Sequence, residues 1–270
     1  MSRPVEVTPA VLAALPLPEH DDEASKHDRG SVLVVGGSDE TPGAVLLAAI
    51  AAMRAGAGRL RIATTPSCAA GLGIAVPEAR VVGSLEPDDV AELTDGSAAV
   101  LLGPGVLDVD GHEPVVDAVT SSMTDGVLVL DAGALPAAGR HPEWVRRLDG
   151  RVLLVPNPGE LEALRTEDAR SAAQRFGATV AVRGAETVIA TPAGDWYVDR
   201  HGCVGLATSG SGDVAAGLAV GFAARGADPL TAAVWCAAVH GLAGERLGPP
   251  GFLARELLDV VPAVLSEVER

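Results

Sequence analysis

Short apolar runs recur along this chain, and most end in a glycine, proline, aspartate or asparagine. Ser31–Val35 reads SVLVV and enters Gly36-Gly37, and residues 60–63, 80–82, 98–102, 127–130 and 152–155 repeat the theme. Helix-like stretches such as residues 44–55 stand between them. A strand that is apolar at nearly every position must be covered on both faces, which a parallel sheet between two helix layers achieves. The pattern predicts an α/β protein with a mostly parallel central sheet and helices on both faces. In such sheets ligands bind beyond the carboxyl ends of the strands, so the turns there are where chemistry is expected.

Those turns are Gly103-Pro104-Gly105, Asp131-Ala132-Gly133 and Pro156-Asn157-Pro158-Gly159-Glu160, the last opening a helix over residues 160–164. Each has an ordinary structural reading, Glu160 for instance as a complement to a helix dipole. Several on one sheet edge are harder to assign to structure alone. Residues 179–197 change texture, with short strand-like runs between Gly184 and Gly194 that predict antiparallel or mixed edge strands. Long apolar helices are predicted over 214–225 and 230–247, with Trp235 and Cys236 in the core, and an amphipathic one over 253–261.

The chain has 270 residues, 48% of them hydrophobic, enough for one large α/β domain. With no repeat or low-complexity linker, one domain is expected over 25–270. Residues 1–24, with Pro16, Pro18 and the polar run Glu19-His20-Asp21-Asp22-Glu23, are expected to form an extended or capping arm. A formal net charge of −16 argues against nucleic acid or an anionic membrane as partner. Lys26 is the only lysine, so an arginine where a lysine would be usual carries little weight. The apolar runs end at Arg54 and Arg225, short of the roughly 18 residues of a membrane span, and no signal peptide is evident. Cys68, Cys203 and Cys236 are too scattered for a disulfide framework or zinc site, which favours the cytoplasm and buried thiols.

The segment most suggestive of chemistry is Ala207-Thr208-Ser209-Gly210-Ser211-Gly212-Asp213, at the mouth of an apolar helix. Its glycines let successive amides converge on one anion at the positive helix end. A carboxylate beside that anion is costly, so Asp213 suggests a task such as accepting a hydroxyl proton or holding a metal. The plain alternative is a glycine-serine turn closed by a helix-start carboxylate, stabilising by about 0.3–1 kcal/mol.

The order of these motifs resembles the ADP-dependent (S)-NAD(P)H-hydrate dehydratase family. The series runs from KHDRGSVLVVGGS at Lys26 and PGAVLLAAIAAMRAGAGRLRIAT at Pro42 through GPG at Gly103, VLDAGAL at Val129, VPNPGELEAL at Val155, VRGAETVI at Val182 and ATSGSGDVAAG at Ala207 to HGLAGE at His240. The likeness implies a ribokinase-like three-layer sandwich, with ADP as co-substrate and Mg2+ as cofactor. Hydrated NADH or NADPH would be returned to the working cofactor while ADP becomes AMP and phosphate. By position, Asp213 would take the hydroxyl proton, and Gly210, Ser211 and Gly212 would form the anion hole. Ala44, Gly105, Asn157 and Asp213 would hold the hydrate; Arg183, Gly184, Ala185, Glu186, Thr187 and Gly212 would hold the nucleotide.

The family usually carries His at Asn157, Lys at Arg183, a second Asp at Gly133, and Gly and Thr at Ser209 and Ser211; glycine at 133 would remove a carboxylate from the site rim. The resemblance further implies a homo-oligomer, often a tetramer, that depends on an epimerase on another chain. Two other readings share these features: a small-molecule kinase of the same fold, acting on a vitamin-type alcohol, and a nucleotide-binding domain without turnover.

Overall fold

All five residues of Ser31–Val35 are buried, and the two-residue period of the strand divides them between two cores. Val32 and Val34 join one layer; Leu33 and Val35 join the other. The computed structural model describes residues 3–19, 25 and 28–269. His20 to Ala24, most of the polar run expected in the arm, and Lys26 at the head of the motif series lie outside the described residues.

Among the described residues ten strands form one sheet: β1 (Val5–Glu6), β2 (Ser31–Val35), β3 (Arg59–Ala63), β4 (Ala79–Val82), β5 (Ala99–Leu102), β6 (Val127–Leu130), β7 (Val152–Leu154), β8 (Thr179–Arg183), β9 (Thr187–Ala190) and β10 (Trp196–Asp199). Their spatial order is β1-β10-β9-β8-β7-β6-β5-β2-β3-β4. Only β9 is antiparallel to its neighbours. The expected mostly parallel sheet and the mixed edge over 179–197 are both present. The chain moves outward from β2 to β4, then restarts on the other side of β2 with β5, so β2 and β5 flank a topological switch point.

One helix layer contains Pro42–Arg54, Ser211–Ala224, Pro229–Leu247 and Ala254–Val268; the other contains Val109–Ser122 and Ala169–Phe176. Helices Pro42–Arg54 and Ser211–Ala224 pack with almost nothing between their backbones. A Cβ on Gly217 would stand 2.3 Å from the Ala48 carbonyl oxygen, and one on Gly221 2.5 Å from that of Ala52. That contact fixes the helix start that carries Asp213 against the sheet.

The last helix does not end at Val261. It continues through Pro262 to Val268, because Val264 and Leu265 are buried beyond the proline. The helix expected over 160–164 is a single 3-10 turn, Pro158–Leu161. In the amino-terminal segment β1 pairs with β10, Val7, Leu12 and Leu17 are buried, and Trp235 Nε1 donates to the Leu15 carbonyl at 2.7 Å. No helix among the described residues is long and apolar enough to cross a membrane.

Candidate active site

Because their strands are parallel, the ends of β6, β7 and β8 deliver Asp131, Asn157 and Arg183 to one edge of the sheet, where the Ser211–Ala224 helix begins. They line a cleft of about 800 Å³ that also receives Gly184, Ala185, Thr187, Gly210 and Asp213.

Gly210 has φ +88°, a left-handed conformation that favours glycine, and a Cβ there would lie 2.5 Å from Leu47 Cδ1. The Val214 amide makes the first helical bond, to the Gly210 carbonyl at 3.1 Å, and the Ser211 amide closes a turn onto Thr208 at 3.2 Å. Among the described residues no carbonyl accepts from the Gly212 and Asp213 amides, so these are the donors a bound anion can take. The Ser211 amide, expected in the anion hole, already has its partner.

Arg183 forms the floor of the site. Its Nε donates to the Val155 carbonyl at 2.8 Å, its Nη2 donates to Asp131 Oδ1 at 2.8 Å, and Nη1 lies 2.8 Å from where a Cβ on Gly212 would be. One planar guanidinium thus ties two strand ends together and lies close against the helix start, its fixed fork holding both bonds in one plane. Glycine at 212 leaves the room for it.

Three carboxylates surround this one cation. Burial pushes Asp213 up to about 6, Arg183 pulling the other way and Glu160 adding to the rise. Asp131 is pushed up to about 7, again mainly by burial, with Arg183 opposing and Glu160 and Asp213 reinforcing. Asp213 is therefore poised to carry or release a proton near neutral pH. His240 Nε2 lies 3.0 Å from Ser211 Oγ and 3.1 Å from the Ser211 carbonyl; because a carbonyl only accepts, that nitrogen carries the proton. Burial and the nearby Arg183 hold the ring down to about 4, and so neutral.

Asn157 is exposed in the cleft and holds a capping box. Its Oδ1 accepts from the Gly159 and Glu160 amides at 2.8 and 3.2 Å, and its own amide donates to Glu160 Oε2 at 2.8 Å. In the segment expected to hold nucleotide, the Gly184 amide donates to the Glu186 carbonyl at 3.1 Å, making a tight turn. The Glu186 side chain engages Arg200 Nε at 2.8 Å and is not part of the cleft lining.

Ala44 and Gly105, expected to hold the substrate, are not among the residues that line this cleft; they stand after β2 and β5 at the switch point. Gly105 has φ +67°, and a Cβ there would be 2.6 Å from the Thr41 carbonyl and 2.9 Å from Ala44 Cβ. Thr41 Oγ1 donates to the Gly105 carbonyl at 2.7 Å, closing the loop after β2 onto the turn after β5.

Two sequence readings need correction. Gly133 is not a rim position that lost a carboxylate: it is buried, and a Cβ there would meet Val106 at 2.6 Å. Cys203 is not a buried thiol; it is half-buried and lines the cleft, while Cys68 and Cys236 are buried as expected. Asp131, His240 and the pair of buried Asp199 with His201 Nδ1, 2.7 Å apart at the cleft wall, were not among the expected site residues. An aspartate placed directly after the fully buried run VLVL was the available signal for Asp131.

The sheet order, the two helix layers and an acid in the first turn of a helix whose leading amides are open define a ribokinase-like α/β protein. A ribokinase of Thermotoga maritima shares that fold, with a TM-score of 0.62 at 15% identity over 88% of this chain and 99% of its own. The family described as NAD(P)H-hydrate dehydratase matches residues 32–259, and the chain belongs to it. An ADP-dependent (S)-NAD(P)H-hydrate dehydratase of Xanthomonas campestris is 41% identical over 98% of this chain and 97% of its own length. The crystal structure of the ADP/ATP-dependent NAD(P)H-hydrate dehydratase of Bacillus subtilis, co-crystallized with ATP/Mg2+, has a TM-score of 0.84 at 29% identity, covering 99% of this chain and all (100%) of that one.

Proposed function

We propose that this chain catalyses the ADP-dependent dehydration of the S epimer of NAD(P)H hydrate, forming NAD(P)H, AMP and phosphate. The observation that carries the reading is the placing of Asp213, its pKa raised by burial, between the open amides of the helix start and the Arg183 guanidinium.

Hydroxide is a poor leaving group from the hydrated ring and phosphate a good one. Asp213 accepts the proton of the ring hydroxyl as its oxygen bonds to the β-phosphorus of ADP, and the bond from that phosphorus to the AMP oxygen breaks. The ring nitrogen's electron pair then expels phosphate, and a proton leaves the neighbouring ring carbon to restore the double bond. Positioning and fixed dipoles do most of the work in such transfers. The Gly212 and Asp213 amides and Arg183 supply them, while the tight turn at Gly184 to Thr187 holds the rest of the nucleotide.

Among the described residues no cluster of three His, Cys, Asp or Glu side chains could cage a metal. The hard oxygen donors of the cleft still suit Mg2+ brought in on the diphosphate, with Glu160 the carboxylate placed to share it and phosphate charge neutralisation the chemistry it supplies. We place the enzyme in the cytoplasm as a homo-oligomer. The deciding experiment incubates the protein with enzymatically hydrated NADH, Mg2+ and ADP and follows the reduced-nicotinamide absorbance. Its return together with AMP is expected; a phosphorylated product with no return would make the protein a kinase.

A further inference from the structure

We propose that a groove between the Pro42–Arg54 and Pro66–Ala75 helices takes the adenosine half of the hydrated dinucleotide, with Asp39 accepting hydrogen bonds from its ribose hydroxyls, so that the hydrate without a 2′-phosphate is the better substrate. The inference rests on the dehydratase reading above and adds a specificity to it.

A dinucleotide whose reacting ring lies at Asp213 and whose chain passes Gly105 and Ala44 leaves the charged cleft on the β2 side. There the two helices enclose a groove of about 510 Å³. Gly43 and Gly71, one from each helix, line it, and neither has an atom within 4 Å of where its Cβ would stand. Side chains at these positions would occupy the space a ligand needs. Leu46, Leu72 and Ala75 supply apolar walls of the kind that hold the face of a base.

Among the described residues the one charged group in the lining is Asp39. Its Oδ1 accepts from Thr65 Oγ1 at 3.1 Å and from Ser67 Oγ, and among the described residues Oδ2 has no donor. The loop that carries Asp39 is the one whose Thr41 closes onto Gly105, so groove and switch point share one rigid connection. A carboxylate facing a ribose diol selects the unphosphorylated dinucleotide. A 2′-phosphate would bring further negative charge to Asp39, and among the described residues no arginine or lysine lines the groove to receive it.

The test compares kcat/KM for NADH hydrate and NADPH hydrate at saturating ADP. The wild-type chain is expected to favour NADH hydrate about tenfold, through KM, and Asp39→Asn to bring the ratio within about threefold. Gly71→Phe, whose side chain enters open space, is expected to raise KM for both hydrates about tenfold while KM for ADP stays put. Equal kcat/KM for the two hydrates, a ratio untouched by Asp39→Asn, or a hydrate KM indifferent to Gly71→Phe overturns the inference and leaves the dehydratase reading standing. Absence of turnover with either hydrate overturns that reading itself, and this inference with it.

Discussion

The turns at the two ends of the expected substrate path are both glycine-rich, yet they are built for opposite purposes. At Gly212 the missing side chain admits the Arg183 guanidinium, and three carboxylates act on that one cation. Around Gly36 and Gly105 the missing side chains let backbone meet backbone, and the Gly37 amide donates to the Pro104 carbonyl at 2.7 Å. Similar sequence texture thus yields a reactive centre in one place and a rigid frame in the other. Changes of charge should alter turnover at the first, and changes of volume should alter fit at the second.

The strongest attempt to break this contrast is Asp213→Asn. It should lower kcat by about 10³-fold while leaving KM for ADP within a few-fold, because a carboxamide cannot accept the proton. A loss below tenfold in single-turnover assays would remove Asp213 from the chemistry. Next comes Arg183→Ala, which leaves Asp131 buried without its partner and should cost about 3 kcal/mol in denaturant unfolding. Adding Asp131→Asn to that variant should restore part of the loss, since the uncompensated charge is then gone.

At the frame, Gly105→Ala introduces a Cβ at positive φ beside the Thr41 carbonyl and should cost about 1–3 kcal/mol in thermal unfolding, with a higher KM for hydrate. Unchanged stability would show that the loop yields. The smallest effect concerns pH. Asp213 must be ionised to act, so kcat/KM should fall as pH drops through about 6. Glu160→Gln keeps the capping box but removes a charge that raises Asp213, so that acid limb should move to lower pH.

The sign for stability is the reverse. Folded Asp131 holds a proton up to about 7, whereas its unfolded value is 3.8, so its share of stability declines as pH rises between them. A titration of unfolding free energy for wild type and Asp131→Asn, taken as a difference, should show that slope.

Much of the frame was legible because burial writes itself into sequence: SVLVV and VLVL are strands with the expected limits. The mixed edge over 179–197 was legible from its tight glycine turns. What the sequence hid was decided by distant partners. Pro262 looks like a helix end until Val264 and Leu265 are seen buried beyond it. Asp131 looks like a turn residue until Arg183, 52 positions later, reaches it. Gly133 looked exposed only because Val106, which covers it, comes from another loop. For the site, the order of motifs pointed to the helix start, whereas the division of labour among Arg183, Asp131, His240 and Glu160 required their distances.

The two-residue strand β1 has an effect out of proportion to its length. It occupies the outer margin of β10, and Glu6 reaches Arg200 at 3.3 Å from the same segment. Trimming the chain past Glu6 would bare a row of amide and carbonyl groups, an invitation to a stray strand from another molecule. The first symptom of that loss would be clumping on storage, seen by light scattering well before any drop in the rate of the repaired cofactor's return.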